Sequence, residues 1–377
     1  MTSIMKLAAD STLSQDYFWM GQAINLARKG RFTTSPNPNV GCVIVDDKQA
    51  CVGSGYHLKA GAPHAEVHAL EQAAEKAHGA TAYVTLEPCS HFGKTPPCAD
   101  ALINAGIKKV VIAMTDPNPL VSGNGIAKLQ QAGIEVVSDV MAAQAAELNK
   151  GFIKRMVQGK PFITVKLAVS LDGKVALANG KSQWITGPEA RSDVHRHRAQ
   201  SCAVLTGSGT VINDDPSLLV RPEEAKIQQY PLPNVRQPVR VVIDSKGVIP
   251  VDSQLLNDSH TTVIATTNQA LQLDGNEIMR LPAYNEKVCL ATLVNELGKR
   301  QMNHVWVEAG PGLAGALLQA GLVDELIVYQ APLILGDKAV SMMTLPDFSD
   351  LSQAYSLTLA QSRQVGSDTK MTFSVKA

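Results

Sequence analysis

The stretch TLEPCSHFGKTPPC, residues 85 to 98, decides how this chain is read. Two cysteines, Cys89 and Cys98, bracket a polar, proline-bearing excursion that also holds a histidine and a lysine. A disulfide, a metal site and a pair of unrelated thiols are the three possibilities. Six cysteines over 377 residues make no disulfide framework, and the N-terminus MTSIMKLAADSTLSQDYFWMGQ lacks the continuous apolar core of a signal peptide. The expected compartment is the cytoplasm, which keeps thiols reduced and disfavours the disulfide. No run of about 18 apolar residues predicts a membrane span. Lys+Arg 34 balance Asp+Glu 34, which argues against a nucleic-acid or anionic-membrane binder but leaves room for a small basic pocket around one phosphate.

Upstream of the excursion lies HAEVHAL, with His64, Glu66 and His68. His-x-Glu, then Pro-Cys, then a second Cys is the set that zinc-dependent hydrolytic deamination needs. One imidazole and two thiolates hold the metal and leave the fourth position to water, whose pKa the ion lowers. A carboxylate that is not a ligand then moves protons to the leaving amine, the role for Glu66. Residues two apart on a helix point in nearly opposite directions. His64 and Glu66 therefore share a site only if His64 stands at or just before the first turn, as Pro63 favours. Cys98, after Pro96-Pro97, likewise opens a helix whose positive end favours a thiolate. A structural zinc with His68 or His91 as fourth ligand is the alternative.

The order of elements supports an α/β chain. Residues 16–29 read as a helix stopped by Gly30, and 40–46 with 51–56 as a strand pair. Helix 64–77, strand TAYVTL, a helix from Cys98, strand KVVIAM, a third helix and strand IEVV follow. This alternation predicts a sheet with a largely parallel part. AAQAAELNKGFIKRMVQGK reads as one closing helix with a short connector, and Pro161 opens a second α/β unit of about 215 residues.

In that second unit, strand FITVKLAVS carries Lys166 and ends in a turn around Asp172-Gly173. KSQWIT places Ser182 and Trp184 in a polar loop, and RSDVHRHRAQ is a basic helix whose His195 and His197 are expected to be solvated. Gly207, Gly209, Asp214, Asp215 and Arg221 follow a strand of small residues. VWVEAGPGLAGALLQAG is a strand, a glycine turn and a helix, the arrangement that offers backbone N–H groups to a phosphate. Its literal Gly310-x-Gly312-x-x-Gly315 match to a dinucleotide fingerprint stands in the wrong place, far from the unit's first strand–helix turn. Cys42, Cys51, Cys202 and Cys289 read as small core residues.

The runs SPNPNVGCVIV, GYHLKAGAPHAEVHAL, TLEPCSHFGKTPPC and AMTDPNPLVSGNG are similar to the deaminase half of the bifunctional riboflavin-biosynthesis deaminase–reductases, and the resemblance extends over essentially the whole chain. It implies a cytidine-deaminase-like three-layer domain over 1–159, followed by a dihydrofolate-reductase-like α/β domain over 160–377. By resemblance, zinc is held by His64, Cys89 and Cys98, with Glu66 as proton shuttle. Asn37, His57, His91 and Lys94 hold a diaminopyrimidinone carrying a ribosylamino 5-phosphate. NADPH meets Ala168, Trp184, Thr210, Asp214 and Ser245, with its phosphates on the turn Gly310, Pro311, Gly312, Leu313, Ala314, Gly315 and Ala316. Ser182, Arg198, Leu218, Arg221 and Glu308 hold the reductase substrate, and Lys166 lies near the reacting sugar carbon. The planar forks of Arg198 and Arg221 suit a phosphate. The resemblance also implies a homodimer through the reductase domain. Two rivals stand beside this reading: a nucleic-acid base deaminase, which a neutral chain with 5% aromatics fits poorly, and a zinc-stabilised NADPH sensor.

Overall fold

The computed structural model describes residues 4–90, 96–119, 121–228 and 230–376. It forms two compact units, Met1–Gln158 and Gly159–Ala377.

The first unit runs α1 (Ile4–Ala27), β1 (Gly41–Val45), β2 (Cys51–Tyr56), α2 (Ala65–Ala73), β3 (Thr81–Val84), α3 (Cys98–Asn104), β4 (Lys109–Ile112), α4 (Asn124–Gln131), β5 (Glu135–Val137), α5 (Ala142–Leu148) and α6 (Lys150–Gln158). The sheet order is β2-β1-β3-β4-β5. β1 pairs antiparallel with β2 and β3, whereas β3, β4 and β5 are parallel. Apolar side chains leave both faces of the sheet: Ile44, Ala82, Val110 and Ile112 pack with α2 and α3, while Val43, Tyr83 and Val111 pack with α1.

Several boundaries differ from the sequence expectation. The first helix begins at Ile4, and Gly30 lies within a 3₁₀ turn, Arg28–Phe32, that continues it. Helix 64–77 breaks at Ala74, whose φ of 49° is left-handed, and resumes as a 3₁₀ turn. The closing helix is two helices. Asn149 lies between them, and its side-chain amide bonds the backbone of Asn39 in both directions.

The second unit begins with β6 (Phe162–Val169), β7 (Lys174–Ala176), α7 (Pro188–Gln200), β8 (Ala203–Gly207), α8 (Ser208–Asp214), α9 (Pro222–Ala225), β9 (Val239–Ile243), β10 (Thr262–Thr266) and β11 (Glu277–Arg280). Next come β12 (Ala283–Tyr284), β13 (Lys287–Val288), α10 (Leu290–Lys299), β14 (His304–Glu308), α11 (Pro311–Gln319), β15 (Glu325–Gln330), β16 (Val340–Ser341), β17 (Leu357–Val365) and β18 (Asp368–Val375). Nine strands form the order β11-β10-β9-β8-β14-β6-β15-β18-β17. They are parallel from β11 to β15, after which β18 and β17 close the edge antiparallel.

Alternation along the central strands sorts this unit's chemistry. Ile163, Val165, Leu167, Val305 and Val307 point into the larger core with α10 and α11. Residues of opposite parity, Thr164, Lys166, Trp306 and Glu308, lie on the other face, where Trp306 packs with Ala190 and Val194 of α7. That face also buries His195 and half-buries His197, contrary to the solvated helix expected. His197 stacks on Trp306 at 4.5 Å between ring centroids. Of the four cysteines expected in cores, Cys42 and Cys202 are buried, Cys289 is half-buried and Cys51 is exposed. β17 escaped the sequence reading because eight of its nine residues are exposed, leaving no apolar period to detect.

Candidate functional site

Close backbone packing sets up the first site. A Cβ at Gly53 would lie 2.1 Å from the Ala69 carbonyl oxygen, and one at Gly55 2.5 Å from that of Ala65. Only glycine in β2 therefore lets α2 approach this closely. His64 caps α2 in extended conformation (φ −77°, ψ 169°), one residue before the helix, as the shared site with Glu66 requires. Cys98 is the first residue of α3, after the cap Pro97.

The three groups converge. His64 Nδ1 lies 3.3 Å from Cys98 Sγ and 3.6 Å from Cys89 Sγ. Nitrogen and sulfur ligands on a tetrahedral zinc would stand about 3.5 Å apart, so the donor set fits that ion. Among the described residues these three are the group able to hold a metal, and all their ligand atoms lie within 4.8 Å of one another. His68 stands outside that group, with Nδ1 3.7 Å from Glu71. His91 and Lys94 lie outside the described residues. Both cysteines are free thiols, so the disulfide does not form. The Cys98 thiol, aided by His64 and the Cys98 backbone N–H at 3.3 Å, holds Cys89 well below the usual thiol range, while Cys89 and burial push Cys98 up. The pair carries one negative charge readily and a second once a cation lies between them.

Glu66 is 3% exposed, and its Oε2 has no hydrogen-bond partner. Burial pushes its carboxyl up to about 7, against the pull of His64. A buried carboxyl with one oxygen unbonded, two residues from His64, is suited to proton transfer. His57 is buried beside His64, with ring centroids 5.2 Å apart. Its Nδ1 contacts the Pro63 carbonyl at 3.1 Å, and its Nε2 lies 3.0 Å from Asn37 Nδ2. A carbonyl only accepts, so Nδ1 carries the proton and Nε2 accepts from Asn37. Burial, which lowers the pKa, keeps this ring neutral. Thus Asn37 and His57 lie beside the cluster of His64, Cys89 and Cys98.

Glu87 is a residue that sequence reasoning missed. It is buried, and its carboxylate accepts backbone N–H bonds from Asp116, Gly123, Gly125 and Ile126, at 2.8 to 3.2 Å. It ties the DPNPLVSGNG loop to the segment that carries Cys89. Its signal was a lone acid at the end of an apolar strand, directly before Pro88.

The second unit gathers another set. Register pairs Lys166 with Glu308 across β6 and β14. Glu308 accepts from Arg198 Nε at 2.5 Å and Nη2 at 3.0 Å, and from the Trp306 indole at 3.0 Å. Burial pushes the Glu308 carboxyl up, but Arg198 and Lys166 outweigh it and hold it at about 2. Burial also lowers the Lys166 pKa, as does the nearby Arg198. Arg198 spends its remaining nitrogen on the Leu219 carbonyl at 2.9 Å, so its fork is committed to protein partners rather than held open for a phosphate. Arg221 is 58% exposed and bonds Glu224 at 2.8 Å. Leu218 is buried, with φ 55°.

At the end of β14, Gly310 caps α11 and Pro311 opens it. A Cβ at Gly310 or Gly312 would meet nothing within 4 Å, whereas one at Gly315 would lie 2.0 Å from the Thr344 carbonyl oxygen. The first two glycines leave an open cradle, and the third is a packing contact. Leu313 and Ala316 are half-buried and Ala314 is core. Ala168 is half-buried on β6, and Thr210 on α8 is half-buried as well. Asp214 is exposed at the end of α8. Ser245 accepts the Val288 N–H through its hydroxyl at 3.0 Å. Ser182 is half-buried; Trp184, 67% exposed, is covered by the Arg191 guanidinium at 4.6 Å.

Two family models match the chain: the cytidine and deoxycytidylate deaminase zinc-binding region over residues 13–114, and the RibD C-terminal domain over 161–371. The riboflavin biosynthesis protein RibD of Escherichia coli strain K12 is 54% identical over 360 residues, covering 94% of this chain and 98% of that protein. A structure of Acinetobacter baumannii RibD superposes with a TM-score of 0.90 at 45% identity, over 97% of this chain and all of that one. A diaminohydroxyphosphoribosylaminopyrimidine deaminase/5-amino-6-(5-phosphoribosylamino)uracil reductase from Thermotoga maritima superposes with a TM-score of 0.86 at 33% identity, with the same coverage. These matches bear out the expected fold, a cytidine-deaminase-like unit followed by a dihydrofolate-reductase-like one. They also set aside the nucleic-acid deaminase and the sensor.

Proposed function

Because the chain belongs to the RibD family, the bifunctional deaminase–reductases of riboflavin biosynthesis, we propose residue roles for its two activities on a diaminopyrimidinone carrying a ribosylamino 5-phosphate. It is an enzyme with a zinc-dependent hydrolytic deaminase in its first half and a reductase in its second. The observation that carries the first assignment is the convergence of His64, Cys89 and Cys98 beside Glu66, which is buried with its Oε2 unbonded.

Zinc, when bound by those three residues, supplies the acidity that makes a water molecule nucleophilic near neutral pH. Glu66 takes the proton from that water as it attacks the ring carbon bearing the amino group, then delivers it to the departing nitrogen, which leaves as ammonia. His57 and Asn37 hold the pyrimidine, and neutral His57 braces the Pro63–His64 step through its Nδ1–H. His91 and Lys94 are assigned to the same substrate from sequence alone.

NADPH, when bound, supplies the hydride that reduces the ribosyl group to ribityl. The open cradle at Gly310 and Gly312 suits its phosphates, with Ala168, Trp184, Thr210, Asp214 and Ser245 lining the rest. Lys166, with its depressed pKa, gives a proton to the sugar oxygen as the ring opens. Arg221, Ser182 and Leu218 hold the sugar phosphate, and Arg198 orients Glu308 toward it.

We assign the enzyme to the cytoplasm; among the described residues no helix is long and apolar enough to cross a membrane. We also infer a homodimer through the reductase unit. Its support is the exposed edge strand β17, whose Leu357 and Leu359 are 38% and 54% exposed beside a bare ladder edge. Sedimentation would test it, with Leu359→Lys expected to shift the protein toward monomer. The catalytic assignment is tested by following ammonia release and NADPH oxidation separately on the ribosylamino phosphate. Both signals are expected; ammonia without NADPH oxidation would overturn the reductase assignment.

A further inference from the structure

The loop between α8 and α9 belongs to no ladder, yet side chains from elsewhere in the unit hold its backbone. Arg240 Nη1 donates to the Ser217 carbonyl at 3.2 Å, and Arg198 Nη1 to that of Leu219 at 2.9 Å. The side-chain amide of Gln237 pairs with Val220 in both directions, accepting its N–H at 2.7 Å and donating to its carbonyl at 3.0 Å. His195 Nδ1 accepts the Arg221 N–H at 3.2 Å. Leu218 sits in left-handed conformation with its side chain 2% exposed, so the loop needs outside support to keep that backbone.

Arg221 is gripped at both ends. A ring nitrogen that accepts from a backbone N–H carries no proton, so neutral His195 bears its proton on Nε2. That atom lies 3.3 Å from the Glu224 carboxylate, and Glu224 bonds Arg221 Nη1 at 2.8 Å. His195 thereby fixes the backbone of Arg221 directly and its guanidinium through Glu224. Gln237 fixes the residue before it.

We propose that His195 and Gln237 are positioning residues of the reductase, which hold Val220–Arg221 so that the Arg221 guanidinium is presented to the phosphate of the sugar substrate. The inference rests on the assignment of Arg221 to that phosphate. A glutamine that mimics a strand neighbour for Val220 holds one geometry, because it offers donor and acceptor together; a glutamate in its place offers acceptors only.

The test uses the full chain, NADPH and the deaminated ribosylamino phosphate. Gln237→Glu is expected to raise KM for the sugar phosphate about ten-fold, with kcat within about two-fold and KM for NADPH unchanged. Ammonia release by the deaminase unit stays at the wild-type rate. Combined with Arg221→Ala, Gln237→Glu adds no further rise, since both act through one contact. His195→Asn, which keeps an acceptor for the Arg221 N–H but loses the reach to Glu224, gives an intermediate KM and carries the test if Gln237→Glu does not fold. An unchanged KM in Gln237→Glu, with a raised KM in Arg221→Ala, overturns the positioning role and leaves the Arg221 assignment standing. An unchanged KM in Arg221→Ala overturns both. Equal losses of kcat and NADPH binding in Gln237→Glu mark a purely structural role and also overturn the proposal.

Discussion

His64 Nδ1 lies 3.3 Å from Cys98 Sγ, although the two residues are 34 positions apart in the chain. One caps a helix and the other opens the next, so two helix starts deliver both side chains to one end of the sheet. Replacing Cys98 with Ser removes one of the three proposed zinc ligands. The expected result is loss of most bound zinc by elemental analysis and loss of ammonia release, while the reductase retains its rate. Full metal content in that variant would contradict the ligand set.

Glu66→Gln preserves shape but cannot accept a proton. Zinc content should stay at the wild-type level while deamination falls about 10²- to 10⁴-fold. Reduction of the pre-deaminated substrate should proceed unchanged. A variant that loses zinc together with activity would instead place Glu66 among the ligands.

The Arg198–Glu308 pair gives the second unit an acid-sensitive element. The folded carboxyl is held at about 2, below an unfolded value of about 4.3, so protons bind more readily to the unfolded chain. The stabilisation is complete above about pH 5 and is lost as pH falls toward 2, an amount on the order of 1–3 kcal/mol. Asp193, whose own burial is outweighed by Lys370, is depressed in the same direction and adds to the slope. Urea unfolding followed across pH should steepen below about pH 5. Glu308→Gln should flatten that limb and, by leaving a buried guanidinium unpaired, cost about 3–5 kcal/mol at neutral pH.

Gly312 and Gly315 stand three residues apart in one turn but for different reasons. Gly312→Ala enters open space, and its thermal midpoint should stay within about 2 °C of wild type. Its KM for NADPH should nonetheless rise several-fold, since a methyl group fills the cradle. Gly315→Ala drives a Cβ into the Thr344 carbonyl and should lose more than about 2 kcal/mol of stability. Equal melting behaviour in the two would refute this distinction.

The convergence of His64, Cys89 and Cys98 near Glu66 was legible in the sequence because its constraints are local. Prolines before His64 and Cys98 and the two-residue step to Glu66 dictate where helices start, and the metal chemistry dictates the residue types. Strand and helix order in both units follows from apolar periodicity, which a single chain displays openly. Glu87 left only the trace of a lone acid before Pro88, because its partners are backbone N–H groups, which carry no residue signature.

What only the tertiary structure decided is the choice of partners. Arg198 suits a phosphate by its chemistry, yet folding places Glu308 against it at 2.5 Å, and a desolvated cation takes the nearest carboxylate. His195 and His197 looked solvated in a basic helix, but α7 lies against the sheet face that bears Trp306, which turns one into a backbone acceptor and the other into a stacked ring. Cys42 and Cys51 stand in similar apolar company, but Cys42 lies on β1, between β2 and β3, and is buried, whereas Cys51 opens the edge strand β2 and is exposed. Periodicity names the face a residue occupies; what packs against that face is settled by contacts between segments far apart in the chain.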